Sequence, residues 1–203
     1  MEAQLLSIFL LFPVLLGSTA ASGATAASST GFIKKSCSTT TYPSLCYSAL
    51  SPCARTVNSD PWKLCGCALK VSHSYAVKAK AAYASQANSS SLTKAEKAAV
   101  KQCRENMGDS VDQLKQSVQA MSAIIQARSS GSSSAAAAAI DLDFQVSNVK
   151  TYASAAITDD STCLDGLEEM RVRANLKMQI VKLETVVEKL TSNALSLVNK
   201  LKY

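Results

Sequence analysis

Apolar residues recur in steps of three and four along most of this chain, the spacing that lines one face of an α-helix. Trp62, Cys65, Leu69, Ser72, Ala76, Ala79 and Tyr83 form one such face. It follows Asp60-Pro61, where Asp60 suits an N-cap and Pro61 the first helical position. This first long helix is expected to fade near Ala87. A second starts at the capping box Thr93-Lys94-Ala95-Glu96 and carries Val100, Cys103, Met107, Val111, Leu114, Val118, Met121 and Ile125 on one stripe. Ser129 to Ser134, with Gly131, reads as a flexible linker, and Ala135 to Ala139 lead into a third helix. Leu142, Val146, Val149, Ala153 and Ala156 mark its buried face. Asp159-Asp160-Ser161 reads as a polar turn, with Thr162 and Asp165 as a weak capping box, so a fourth helix is expected from about Cys163 towards Lys200. Its stripe is Leu176, Ile180, Leu183, Val187, Leu190, Ala194, Leu197 and Leu201, a heptad-like bundle seam.

Four long amphipathic segments joined mostly by short polar loops predict an all-α fold, an antiparallel four-helix bundle. Residues 32–57 form a separate small unit. Proline disfavours helical geometry in the residue before it, so Thr41-Tyr42-Pro43 breaks any helix and leaves two short ones as a hairpin. If Cys37 bonds Cys46, the closed loop is worth roughly 2.5–3 kcal/mol by chain entropy. Leu5 to Leu16 is apolar but too short to span a bilayer, and small residues follow from Gly17 to Ala27. That is a signal-peptide pattern over 1–26, cut near Ala24-Thr25-Ala26 or earlier near Ala20 or Ala21, although no basic residue precedes the apolar run. The expected organisation is a leader, 1–26, then one domain, 32–203, made of the hairpin, 32–57, and the bundle, 60–203. The mature protein is expected to be soluble and secreted.

Composition fits packed helices: alanine and serine abound, and aromatics are 5%. The formal charge is +6, and the leader carries only Glu2, so the remaining chain stands at +7. An ordinary basic surface explains this; attraction to a polyanion such as pectin, or to an acidic partner, is the sharper reading. No cationic run interleaves with aromatics, which argues against nucleic acid. Seven cysteines behind a secretory leader read as disulfides, and an odd count leaves at least one outside any intramolecular pair.

Catalytic chemistry finds little support. His73 is the only histidine, and no serine or cysteine has a motif-level partner for it. Cys65 and Cys67 point about 200° apart on a regular helix, so they cannot share one metal there. Cys65 reads either as a buried free thiol or, like Cys67, as a partner for Cys53 in a disulfide tying the hairpin to the first bundle helix. A zinc site from these three cysteines and His73 has no known ligand spacing. Asp159 and Asp160 read as a solvated cap rather than an acid–base pair. No phosphate loop, dinucleotide fingerprint or nucleophile elbow occurs, and no cofactor or metal is expected. Asn88-Ser89-Ser90 is the only N-x-[ST] sequon, so Asn88 is the candidate glycosylation site.

The stretch Ser154 to Glu169 resembles the plant invertase and pectin methylesterase inhibitor family, through Ser154 to Thr158, then Thr162, Cys163, Asp165 and Gly166. Cys37, Tyr42-Pro43 and Cys46, Cys103 on a helix, and Leu190 to Leu197 agree in order and spacing. The resemblance runs from about Phe32 to the C-terminus. It implies a four-helix bundle with an N-terminal helical hairpin and the disulfides Cys37–Cys46 and Cys103–Cys163, the second stapling the second helix to the start of the fourth. It implies a secreted, apoplastic inhibitor of a carbohydrate-active enzyme, not an enzyme itself. Asn148 to Tyr152 looks more like the pectin methylesterase branch, with an invertase as the alternative target. A detached pro-region of a pectin methylesterase is a second reading, and a small lipid carrier a third that lacks the adjacent paired cysteines it needs. The resemblance points to the exposed faces of the second and third bundle helices, hence Asp109, Asp112, Gln116, Asn148, Thr151 and Ser154 as partner-binding candidates.

Overall fold

The computed structural model describes the backbone of residues 20–130 and 135–203, and side chains of 28–130 and 142–203. Residues 1–19 of the expected leader, and Gly131 to Ser134 of the expected linker, lie outside the described residues. Among the described residues seven α-helices follow one another: α1 Ala20–Cys37, α2 Pro43–Leu50, α3 Ala54–Val57, α4 Pro61–Ala87, α5 Lys94–Ser130, α6 Ala135–Glu169 and α7 Ala174–Val198. A 3-10 turn, Ser51–Cys53, links α2 to α3. Among the described residues no helix is long and apolar enough to cross a membrane.

The long helices begin where local chemistry satisfies their free amides. The Asp60 carboxylate accepts from the backbone N–H of Trp62 at 2.8 Å and of Lys63 at 3.2 Å. At α5, Thr93 Oγ1 accepts from the Glu96 N–H at 3.2 Å while Glu96 Oε2 accepts from the Thr93 N–H at 2.9 Å, both halves of a capping box. Glu96 has a further task. Its Oε1 accepts from the Arg173 backbone N–H at 3.2 Å and from Arg173 Nε at 2.6 Å. One buried carboxylate thus ties the α4–α5 loop to the start of α7. These bonds, led by the Arg173 guanidinium, hold its pKa down at about 2.

The apolar stripes meet inside an antiparallel bundle of α4 to α7. Leu69, Ala76, Tyr83, Val100, Met107, Leu114, Met121, Val146, Val149, Ala153, Ala156, Ile180, Val187 and Ala194 are fully buried. Small residues on α6 let α5 approach closely. A Cβ on Gly166 would collide with the Gln102 side chain of α5. The Gln102 amide would have to swing aside to admit one.

The structure corrects the reading of Asp159-Asp160-Ser161 as a turn. These residues lie within α6, which continues to Glu169. Ser161 Oγ donates to the Ile157 carbonyl at 2.9 Å and Thr162 Oγ1 to the Thr158 carbonyl at 2.7 Å, so their hydroxyls bond back one turn and leave the helix intact. Thr162 therefore caps nothing. The true break is the short segment before Ala174, and α7 has 25 residues, about 37 Å, rather than a run from Cys163.

The N-terminal hairpin packs Ile33, Cys37, Cys46, Leu50 and Val57 into the same core as α4 and α7. Asn193 of α7, 2% exposed, clamps its turn. Asn193 Oδ1 accepts from the Tyr42 N–H at 2.8 Å, and Nδ2 donates to the Tyr42 carbonyl at 3.0 Å. The residue before the helix-breaking proline thus has both backbone groups satisfied by one side chain.

Candidate partner-binding site

Two contacts fix how α5 and α6 lie against each other. A disulfide joins Cys103 to Cys163, and Ser117 Oγ donates to the Val149 carbonyl at 2.9 Å. The helices are antiparallel, and this register sets Asp112 level with Ser154, Gln116 with Lys150 and Asp109 with Ile157. The six residues proposed from sequence therefore occupy one stretch of the α5–α6 pair. Asp109, Asp112, Gln116, Thr151 and Ser154 are exposed, and Asn148 is half-buried. The disulfide corrects the expected position of the staple: it ties α5 to the interior of α6, not to the start of the fourth long helix.

One residue on this surface escaped the sequence reading. Phe144 of α6 is 62% exposed. It is four residues before Asn148 and seven before Thr151, so all three share the outward side of α6. Its signal was present: Phe144 falls out of phase with Leu142, Val146 and Val149. A large apolar side chain on the polar side of a helix is the feature worth singling out.

Behind this face lies a polar cluster with one member from each bundle helix: Tyr83, Ser110, Asp160 and Glu184, all fully buried. Tyr83 Oη donates to Glu184 Oε1 at 2.7 Å. Glu184 Oε2, Ser110 Oγ and both Asp160 oxygens have no hydrogen bond of good geometry. Burial pushes Asp160 up to about 8, with Asp159 and Glu188 adding to it and the neighbouring Ser110 opposing. Burial likewise raises Glu184 to about 8, against the Tyr83 hydrogen bond. Both carboxyls are thus neutral under acidic conditions. Asp159 is raised by burial and by Asp109 across the helix pair. The expectation that Asp160 is a solvated cap is overturned, because it lies in phase with Ala153, Ala156 and Cys163.

The remaining cysteines are also placed. Cys37 bonds Cys46, Cys53 bonds Cys67, and Cys65 is a buried free thiol pushed up to about 12, chiefly by burial. Two thiols of the weighed zinc set are thereby consumed. His73 is half-buried beside Lys115 and Asp112 of α5, and its pKa is lowered mainly by burial. An open cleft of about 550 Å³ at the loop end, lined by Gln86, Leu92, Arg173, Asn175 and Gln179, contains none of the predicted site residues. Asn88 is exposed immediately after α4.

The sequence profile of the plant invertase/pectin methylesterase inhibitor family matches residues 31–197. The chain belongs to this family. It is similar to pectinesterase inhibitor 3 of Arabidopsis thaliana, 38% identical over 169 residues that cover 83% of this chain and 78% of that protein. It is 35% identical over 190 residues to a 21 kDa protein of Daucus carota, covering 94% and 92%. The solved structure of a mutant form of an Arabidopsis pectin methylesterase inhibitor superposes with a TM-score of 0.60 over 82% of this chain and 94% of that one, at 17% identity, which shows the shared fold. Members of this family are inhibitors of enzymes, and the chain is placed with them rather than with catalysts.

Proposed function

We propose that this chain inhibits a pectin methylesterase by a reversible one-to-one complex in which the outward surface of α5 and α6 covers the enzyme's active-site cleft. The observation that carries the reading is the family match over residues 31–197, joined to 38% identity with a pectinesterase inhibitor. The geometry supports it. A cleft that accepts a long polysaccharide is open and groove-shaped, and a helix pair can lie along it. The Cys103–Cys163 disulfide holds α5 and α6 in one register, which lowers the entropy cost of association. Asp109, Asp112, Gln116, Asn148, Thr151 and Ser154 supply polar contacts, and Phe144 supplies an apolar anchor of the kind that dominates interfaces.

On the same reading, residues 1–26 are a removed leader, 32–203 the inhibitor domain, the site of action the plant cell wall, and Asn88 carries a glycan. The test is residual methylesterase activity against inhibitor concentration, with an acid invertase run in parallel. Stoichiometric loss of methylesterase activity is expected. Inhibition of the invertase alone would move the target to the other branch of the family, and inhibition of neither would overturn the reading.

A further inference from the structure

The second bundle helix gathers a row of cations on the side that faces α4. Lys97, Lys101 and Arg104 of α5 follow one another in steps of four and three, and the next step of four reaches Gly108. Gly108 has no side chain to offer, and Lys80 of α4 fills its place. The Lys80 ammonium lies 3.1 Å from where a Cβ of Gly108 would stand. Lys115, seven residues or two turns beyond Gly108, resumes the row beside His73 of α4. Lys80, Lys97, Lys101 and Lys115 are exposed and Arg104 is half-buried. Five cations thus run for about 27 Å along the α4–α5 seam. Only Lys101 among them makes an ion pair among the described residues, with Glu105 at 3.6 Å. Asp109 of α5 instead faces α6, where it acts on Asp159. Two acids flank the row, Glu105 paired with Lys101 and Asp112 near His73.

The geometry points to the seam lined by Lys97, Lys101, Arg104, Lys80 and Lys115 as a binding surface for a uronate polysaccharide, the de-esterified form of pectin. Charge complementarity selects this occupant. A linear row of cations matches a linear polymer with a carboxylate on each sugar, and no aromatic side chain lies in the row to stack nucleic acid bases. A methyl-esterified chain offers no such charge. The inference rests on the proposed target for its biological sense: a methylesterase leaves carboxylates behind, so the inhibitor would concentrate where the enzyme has worked. The row adjoins the proposed enzyme-binding surface without using its residues, so polymer and enzyme can be held together.

The full secreted protein is titrated with polygalacturonate and with its fully methyl-esterified form, at low and at raised sodium chloride. Binding is expected to the acidic polymer only and to weaken steeply with salt. The variant Lys97→Gln/Lys101→Gln/Arg104→Gln should lose about tenfold or more in affinity. The control Lys63→Gln/Lys70→Gln/Lys78→Gln, which removes the same charge from another side of α4, should bind nearly as the parent does. All these residues are wholly or partly exposed, and thermal unfolding of each variant verifies that it is folded. Equal loss in both triple variants would reduce the effect to net charge and overturn the site. Equal binding of the esterified polymer, or no binding at low salt, would overturn it as well. The assay contains no enzyme, so its failure leaves the inhibitor reading standing, and the reverse also holds.

Discussion

Tyr83 Oη donates to Glu184 Oε1 at 2.7 Å inside the bundle, with neither side chain exposed. This bond joins α4 to α7 at the level where Asp160 of α6 and Ser110 of α5 are buried. A hydroxyl–carboxyl pair in a dry core is stable while the carboxyl is neutral. Ionisation would leave a charge with one donor and no counterion. Asp159 and Glu188 add like charge nearby, and Lys or Arg is absent from the interactions that shift the two buried acids.

Stability should therefore fall as the pH rises from acidic to mildly alkaline values. The folded pKa values of about 8 for Asp160 and Glu184 exceed the ordinary carboxylate values near 4. Between those limits the folded state holds protons that the unfolded chain has released, so raising the pH favours unfolding. The loss runs from about pH 4 to about pH 8 and amounts to several kcal/mol, shared between the two groups. Melting temperature measured across this window should fall with rising pH. Glu184→Gln, which keeps a partner for Tyr83, should flatten the profile and raise stability at pH 8. A flat profile in the parent protein would show that the two carboxyls ionise freely.

Tyr83→Phe separates the bond from the burial. It leaves Glu184 Oε1 unpaired, at a cost of about 1–3 kcal/mol. The Tyr83 hydroxyl also lowers the Glu184 pKa, because it favours the ionised form. Its removal should thus steepen the loss of stability above pH 7. Denaturant unfolding of parent and variant at pH 5 and pH 8 measures both effects.

The stripes and caps were legible because they obey local rules. Asp60, Pro61 and the Thr93–Glu96 box act within one turn, and the apolar spacing of α4 reports its buried face directly. On α5 the expected stripe is off by one position at three places, where Val111, Val118 and Ile125 are half-buried and Ser110, Ser117 and Ile124 are buried. The α6 break was misplaced for a physical reason. Asp, Ser and Thr side chains bond to nearby backbone equally well in turns and, one turn back, in helices, so composition alone favours a turn at 159–161. Periodicity carried the better signal: Asp160 keeps step with Ala153, Ala156, Cys163 and Leu167, all buried. The partners of Glu96 and Asn193 were illegible, because Arg173 and Tyr42 lie 77 and 151 residues away in sequence.

The Glu96–Arg173 link has a testable asymmetry. Glu96→Ala removes the acceptor for the Thr93 N–H, the Arg173 N–H and the Arg173 guanidinium together. Arg173→Ala removes only the guanidinium, which is largely exposed. The first variant should unfold at a clearly lower temperature than the second at pH 6. Because the Glu96 pKa is depressed to about 2, its contribution is present above about pH 4 and is lost on acidification towards that value. The two variants should accordingly converge with the parent near pH 2.

Breaking the bundle staple should cost more than breaking the hairpin staple. Cys103 and Cys163 are 60 residues apart and Cys37 and Cys46 only 9. Chain entropy assigns about 4 kcal/mol to the longer loop and about 2.5–3 to the shorter. Cys103→Ser also leaves a polar group in a fully buried position next to Glu184. Thermal unfolding should show the larger loss for Cys103→Ser than for Cys37→Ser. Equal or reversed losses would make the hairpin, with its Asn193 clamp, integral to the core.

The interface prediction turns on where Asp112, Thr151 and Phe144 stand. Asp112 and Thr151 are exposed on neighbouring turns of the antiparallel pair, and Phe144 projects on the same side of α6. Asp112→Lys with Thr151→Arg puts two cations into a contact that otherwise presents an acid and a hydroxyl. None of these side chains contributes to the core, so helical content and melting temperature should stay near those of the parent. The charge variant should weaken methylesterase inhibition by about tenfold or more, mostly through faster dissociation. Phe144→Ala should cost about 1–2 kcal/mol of binding, a shift of roughly five- to thirtyfold in the inhibition constant. Ser85→Ala, exposed on α4 away from α5 and α6, serves as the control and should inhibit as the parent does. If both interface variants inhibit like the parent while remaining folded, the enzyme must dock on another surface of the bundle.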